Sequence, residues 1–140
     1  MAGLGKLLVA VLLLFASGNL WAVDFVVIAN HNVPAAKLTT DELSSIYLLR
    51  TGNWQNGIRI VPVNREAGSN ARAVFSTRVL GQPQAALDAH WNRMNFKGIT
   101  PPLIQESDKA VLDFVQRVSG AIGYVSASME LKNVKVLAEF

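Results

Sequence analysis

The chain has 140 residues, 51% of them hydrophobic, with 13 lysines and arginines against 10 acidic residues and a formal charge of +3 at pH 7. This length suits one domain with a substantial core and excludes two lobes of ordinary size. The small charge excess and the dispersed basic residues give no indication of a nucleic-acid surface. The absence of cysteine excludes disulfides, thiolate metal sites and a cysteine nucleophile.

The first 22 residues have the pattern of a secretory signal peptide. Lys6 supplies a positive start, residues 7–16 form an unbroken apolar run of ten, and a stretch of smaller residues follows. We expect cleavage after Ala22, or near Gly18, and export to a bacterial periplasm. A retained membrane anchor is the alternative, but the apolar run is short against the ~20 residues that span a hydrocarbon core.

The rest of the chain alternates short apolar runs with helical patterns. The first predicted strand is apolar throughout, as expected of a strand covered on both faces in a parallel sheet, and Pro62 in the second indicates an edge position or a distorted ladder. Strands separated by helices predict an α/β domain with a largely parallel sheet. The predicted strands are residues 25–29, 58–63, 121–125 and 134–137.

The predicted helices carry start and stop signals. Thr39 and Glu42 form a capping box for a helix that runs to about Arg50. The other helices run from Ser69 to Gly81, from Pro83 to the break at Thr100-Pro101-Pro102, and from Ser107 to Gly120. The predicted buried faces are Leu43, Ile46, Tyr47 and Leu49; Ala71, Val74, Phe75 and Val79; Leu87, His90, Trp91 and Met94; and Val111, Leu112, Val115 and Val118.

The turn before the second helix carries an excess of positive charge. A helix start has free N–H groups and the positive end of the helix dipole, yet Arg65 and Arg72 lie there with only Glu66 nearby to offset them. A tetrahedral oxyanion would be stabilised by the Arg65 guanidinium, the Ser69 hydroxyl and the free amides, and Gly68 would allow close approach. Alternatively, Glu66 pairs with one of the arginines, Ser69 is only a cap and Gly68 only a turn residue.

Three segments occur in an order found in one family. TTDELSSIYLLRTGNW (39–54), IVPVNREAGSNARAVFSTRVL (60–80) and FVQRVSGAIGYVS (114–126) resemble the periplasmic phosphate-binding proteins of ABC transporters, in the type 2 periplasmic-binding-protein superfamily. The resemblance implies that residues 23–140 form a single lobe of that fold, with a mostly parallel sheet flanked by helices. In the family, two lobes enclose the phosphate.

The same resemblance implies a set of ligand-binding residues. Arg65 matches the arginine that grips the phosphate, Gly68 matches the turn glycine and Ser69 matches the serine that donates to the ligand. The backbone amides of Asn70 and Ala71 complete the predicted oxyanion site.

Three positions depart from the family pattern. Ala67 replaces an aspartate that positions the arginine, Ala71 replaces a threonine whose hydroxyl contacts the ligand, and Asn70 replaces a glycine. Each missing hydrogen bond to a charged group is worth roughly 1.5 to 3 kcal/mol, and the second lobe is absent as well. We therefore expect weak, submillimolar to millimolar binding.

Other conspicuous residues have structural explanations. His31 and His90 are far apart in sequence, and His90 lies on an apolar helix face, which favours a packed core histidine over a metal ligand. Trp54 is predicted to be a lid over the core, with an exposed interface anchor as the alternative. Asp41 and Glu42 are accounted for by helix capping. We therefore expect no metal, no cofactor and no enzymatic activity.

Two functions from different classes remain. One is a small periplasmic binding protein for phosphate or a related oxyanion, with a transporter or a membrane sensor as its protein partner. The other is an interaction module that kept the fold, lost effective ligand binding and docks a protein on its uncovered cleft face. Retention of Arg65, Gly68 and Ser69 favours the first, and the departures at Ala67 and Ala71 favour the second.

Overall fold

The computed structural model describes residues 23–140, so the predicted signal peptide lies outside the described residues. Within this range one sheet contains β1 (Phe25–Asn30), β2 (Val61–Arg65), β3 (Leu103–Gln105), β4 (Ala121–Ser126) and β5 (Val134–Glu139), in the order β3-β2-β4-β1-β5. The helices are α1 (Thr40–Tyr47), α2 (Asn70–Phe75), α3 (Gln84–Phe96) and α4 (Asp108–Arg117), and α2 continues into a π-helical turn, Ser76–Leu80. The predicted α/β class is confirmed.

The strand directions make the sheet mostly parallel. β2 pairs in parallel with β3 and β4, whereas β1 pairs antiparallel with both β4 and β5. Four of the five strands therefore point the same way, and β1 runs against them. The prediction that the first strand belongs to a parallel ladder is wrong: its apolar run reflects its place inside a sheet covered on both faces, which does not depend on strand direction.

Helices cover both faces of this sheet. One face packs Val27, Ile122 and Tyr124 against α1, α2, the π-helical turn and α3. The other face packs Ile28, Val63 and Val125 against α4. Alternate residues along β1 and β4 thus supply two separate cores, as the period of an extended chain requires. No helix within residues 23–140 is long and apolar enough to cross a membrane.

The predicted helices are confirmed, with small differences at their ends. Both bonds of the capping box form, from the Thr39 amide to Glu42 Oε2 at 2.8 Å and from the Glu42 amide to Thr39 Oγ1 at 3.2 Å. α1 ends at Tyr47, and Leu48, not the predicted Leu49, is the further buried leucine. The predicted face residues that are only partly buried are Leu49, Val74, Trp91, Met94 and Val118.

Pro62 lies inside the sheet, so its predicted edge position is wrong. β2 lies between β3 and β4. The ladder to β4 includes Pro62, whereas the ladder to β3 begins only at Val63. The alternative of a distorted ladder is therefore correct. β2 stops pairing with β4 and starts pairing with β3 next to Pro62, which has no N–H to donate. β3 itself was not predicted, since three residues carry too little pattern.

Candidate functional site

The parallel strands bring several polar residues to one edge of the sheet. Because β2, β3 and β4 point the same way, Arg65 at the end of β2 lies at the same edge as the ends of β3 and β4. α2 begins shortly after β2 and packs on one face of the sheet, whereas α4 begins shortly after β3 and packs on the other. In open α/β sheets, ligands bind at such a crevice between the carboxyl ends of the strands.

The Arg65 side chain is only 12% exposed and is held by two carboxylates. Its Nη1 donates to Asp108 Oδ1 at 2.6 Å, its Nε donates to Glu66 Oε2 at 3.1 Å and its Nη2 donates to Glu66 Oε1 at 3.3 Å. The hydrogen bond from Arg65 lowers the pKa of Glu66. Of the two pairings left open for Glu66, the structure shows the one with Arg65.

Asp108 corrects the sequence-based charge balance. The prediction that only Glu66 offsets the two arginines is wrong, because Asp108 brings a second negative charge. Asp108 is fixed in turn: its Oδ2 accepts from the Ser126 amide at 3.3 Å, and it begins α4 directly after the cap Ser107. It therefore orients the Arg65 guanidinium, although Ala67, closer in sequence, carries no carboxylate that could do so.

Two buried side chains hold the backbone at the end of β2. The Arg65 amide donates to Asn64 Oδ1 at 3.1 Å and to the Tyr124 hydroxyl at 3.3 Å. The Tyr124 hydroxyl also donates to Asn64 Oδ1, and its ring stacks on Phe75 of α2 with the centroids 4.2 Å apart. Burial is the largest cause that raises the pKa of Tyr124 to about 12. These contacts connect the position of Arg65 to the core.

The start of α2 retains unused hydrogen-bond donors. Ser69 Oγ accepts from the Arg72 amide at 3.0 Å, so Ser69 is a helix cap, while its hydroxyl hydrogen remains able to donate. Arg72 Nη1 donates to the carbonyl oxygen of Arg65 at 3.1 Å. Within residues 23–140, no acceptor engages the backbone amides of Asn70 and Ala71, as is usual for the first turn of a helix.

Gly68 lies in open space. Apart from its two chain neighbours, no atom of residues 23–140 lies within 4 Å of a Cβ built on this residue. The φ of Gly68 is not positive. Neither the backbone conformation nor the packing of the described residues therefore requires glycine here. This weakens the interpretation of Gly68 as a turn residue alone.

Two concavities lie at the opposite end of the sheet. A groove of about 320 Å³ is lined by residues that include Trp54 and Ile60, and a groove of about 630 Å³ is lined by residues that include Val61 and Leu103. The first lies between α1 and the residue before β2, the second lies beside the amino ends of β2 and β3, and Arg65 lines neither. The candidate anion site is a separate part of the surface, where Gly68 and Asn70 are exposed to solvent.

The remaining candidates have structural positions. His90 is buried, with Nε2 3.2 Å from the carbonyl oxygen of Leu48 and its ring against Trp91, so the core interpretation is confirmed. Trp54 is 7% exposed and its Nε1 donates to the carbonyl oxygen of Gly120 at 2.9 Å, as expected of a lid over the core. Among the described residues, no group of three or more His, Cys, Asp or Glu side chains could hold a metal ion.

Comparison with known proteins gives one family match and several structural matches. A family model described as a PBP superfamily domain matches residues 18–139. The chain is similar to a solved structure from Clostridium perfringens assigned as a phosphate ABC transporter substrate-binding protein with bound phosphate, at 25% identity and a TM-score of 0.65, over 82% of this chain and 44% of that one. It is also similar to an ABC-type phosphate transport receptor from Vibrio cholerae, at 23% identity and a TM-score of 0.66, over 82% of this chain and 45% of that one.

A third structure, PstS from Borrelia burgdorferi, matches at 15% identity with a TM-score of 0.64, over 83% of this chain and 47% of that one. At such identities the Vibrio and Borrelia matches indicate the fold alone. The chain spans less than half the length of each of these three proteins.

Proposed function

We propose that this chain, which belongs to the PBP superfamily, binds phosphate or a related oxyanion at the start of α2 and catalyses no reaction. The ligand-binding groups are the Arg65 guanidinium, the Ser69 hydroxyl and the backbone amides of Asn70 and Ala71, with Gly68 leaving room for the ligand. One observation carries the proposal: Arg65, whose guanidinium is fixed by Asp108, ends β2 and so begins the connection to α2, whose first amides have no acceptor among the described residues. Helix starts of this kind bind anions.

The donor set suits an oxyanion. The Arg65 guanidinium has more N–H donors than its contacts with Glu66 and Asp108 use, and Arg72 adds a second positive charge beside the site. The similarity to a Clostridium perfringens chain that holds bound phosphate favours phosphate among the oxyanions.

The affinity follows from charge and exposure. Glu66 and Asp108 balance the two arginines, so little net charge attracts an anion, and a charge pair near a protein surface is worth only ~1 to 4 kcal/mol. The free energy of binding therefore comes mainly from oriented hydrogen bonds. We expect submillimolar to millimolar dissociation constants for the chain alone.

The cellular setting belongs to the same proposal. Residues 1–22 have the composition of a signal peptide, and the family includes periplasmic solute receptors. We therefore place the protein in the periplasm, where it would pass its ligand to a transporter or report it to a membrane sensor. Docking of a protein without any anion is the competing function.

Calorimetric titration of the purified protein with phosphate, sulfate and nitrate tests the proposal. We expect saturable heat with at least one tetrahedral anion. Arg65→Ala should abolish that heat, because the charged hydrogen-bond donor is lost.

Arg59→Ala is the matched control. Arg59 is exposed and precedes β2 at the opposite end of the sheet from Arg65, so its loss removes the same charge at a distance from the site. No heat with any of the anions at millimolar concentration contradicts the proposal and favours the protein-docking function. Equal losses in the two variants would show only a general charge effect.

A further inference from the structure

Glu66 contacts Arg65 in the same way as an oxyanion would. Its two carboxylate oxygens accept from Arg65 Nε at 3.1 Å and from Nη2 at 3.3 Å. This two-point contact with one edge of a guanidinium is the usual geometry for both carboxylates and phosphates. The edge of Arg65 that could grip a ligand bidentately is therefore occupied by a group of the chain itself.

The two carboxylates on Arg65 are held differently. Asp108 contacts the other end of the guanidinium, through Nη1, and its second oxygen accepts from the Ser126 amide of β4. The Glu66 side chain lies in the loop between β2 and α2, and no side chain in residues 23–140 other than Arg65 contacts its carboxylate. Asp108 is thus anchored to the sheet, whereas the Glu66 carboxylate is held only by Arg65 and by the backbone amide of its own residue, within the loop.

We propose that Glu66 is an internal competitor for the anion: its carboxylate occupies the Nε and Nη2 edge of Arg65 when the site is empty, and the incoming oxyanion displaces it. Asp108 is the positioning residue that keeps the guanidinium in place during this exchange. The inference rests on the proposed function. It means that anion binding exchanges one charged contact of Arg65 for another.

The two carboxylates can be compared by neutralising each in turn. Glu66→Gln and Asp108→Asn both remove one negative charge beside Arg65 with little change in side-chain shape. Sulfate is the probe, because its charge stays constant near neutral pH, and titration calorimetry gives its affinity for each variant. We expect Glu66→Gln to bind sulfate about tenfold more tightly than the wild type, since the competing charge is lost.

Asp108→Asn should bind no more tightly than the wild type, because the gain from lost repulsion is offset by a looser guanidinium. Thermal unfolding of each variant checks that it is folded. Should the two variants tighten binding equally, Glu66 would have only a general charge effect and the inference would be overturned. Should Glu66→Gln bind more weakly, Glu66 would be a positioning residue instead, which also overturns it.

The outcome separates this inference from the proposed function. A wild type that binds sulfate or phosphate through Arg65, together with a Glu66→Gln variant that binds no more tightly, overturns the inference alone. Absence of binding in both proteins overturns the proposed function, and this inference with it.

Discussion

Tyr124 connects the candidate site to the core through a single hydroxyl. This hydroxyl accepts from the Arg65 amide and donates to Asn64 Oδ1, and its ring is fully buried against Phe75 and Tyr47. An ionised phenol at this position would lose its hydrogen bond to Asn64 and would be poorly solvated. The neutral form of Tyr124 is therefore part of what holds Arg65.

The raised pKa of Tyr124 predicts a loss of stability at alkaline pH. Below pH 10 the phenol is neutral in both the folded and the unfolded chain, so its contribution to folding is complete. Between the unfolded value of 10.0 and the folded value of about 12, only the unfolded chain ionises, and the free energy of unfolding should fall by about 1.4 kcal/mol per pH unit for this group. Tyr47, whose pKa burial raises well above 10.0, adds to the loss.

Urea unfolding of the wild type and of Tyr124→Phe, followed from pH 8 to pH 12, measures this contribution. The variant should be less stable at pH 8 by about 1 kcal/mol, because the hydrogen bond to Asn64 is lost. Its stability should then fall less steeply above pH 10. Parallel curves for the two proteins would contradict the assignment, because the alkaline loss would then come from other groups.

At the residue scale, much of the candidate site follows from sequence, and one part does not. Ser69 is predicted as a helix cap from its place before a helical pattern, and the structure confirms the cap. Arg65 is predicted beside it from chain proximity. Asp108 is not predicted, because its approach to Arg65 depends on β3, whose three residues give no readable pattern. The one available signal for Asp108 was its place directly after the predicted helix cap Ser107.

At the scale of elements, Gly120 in the turn before β4 makes hydrogen bonds to several other segments of the chain. The carbonyl oxygen of Gly120 accepts from Trp54 Nε1 at 2.9 Å and from the Val61 amide at 3.1 Å, and its amide donates to Asn32 Oδ1 at 3.2 Å. Gly120 has a φ of +76°, and a Cβ there would lie 2.1 Å from the carbonyl oxygen of Arg59. Both the backbone conformation and the packing therefore require glycine.

Gly120→Ala and Gly81→Ala form a matched pair for this interpretation. Gly81 ends the helical segment with a φ of +62°, and a Cβ there would meet no described atom within 4 Å beyond its chain neighbours. Gly81→Ala should cost about 1 to 2 kcal/mol of unfolding free energy from the left-handed backbone alone. Gly120→Ala should cost at least about 2 kcal/mol more, because the backbone of Arg59 must move and the Trp54 contact is disturbed.

Urea unfolding measured by tryptophan fluorescence compares the two variants. Equal costs would show that the close approach to Arg59 relaxes without penalty, and the special role of Gly120 would be lost. Preserved wild-type stability in both would contradict the backbone argument as well.

The elements also show where sequence patterns stop being informative. The capping residues Thr39, Ser69 and Ser107 fix the helix starts, because a cap is a local contact that the sequence displays directly. Strand partners are not local. The apolar run of β1 shows that the strand is buried on both faces, but it does not show the direction of the strand. Pro62 shows that one backbone N–H is missing, but it does not show which neighbouring strand goes without that hydrogen bond.

At the scale of the whole molecule, the proposed site lies where the carboxyl ends of parallel strands meet two helix starts. The chain matches less than half the length of the solved phosphate-binding relatives, and the described residues form one sheet with its own two cores. The candidate site lies at the edge of that sheet and is open to solvent. In the proposed function, an exposed site of this kind would exchange its ligand easily, and a second chain or lobe that covered it would raise the affinity by excluding water.

The central claim is that an oxyanion binds at the start of α2 and replaces Glu66 on Arg65. Titration of the ¹⁵N-labelled protein with phosphate, followed by NMR, tests it most directly because it locates the ligand. The account predicts saturable shifts of the Arg65 Nε–H and of the amides of Ser69, Asn70 and Ala71. Shifts confined to the grooves near Trp54 or Leu103, or no shift at millimolar phosphate, would contradict it.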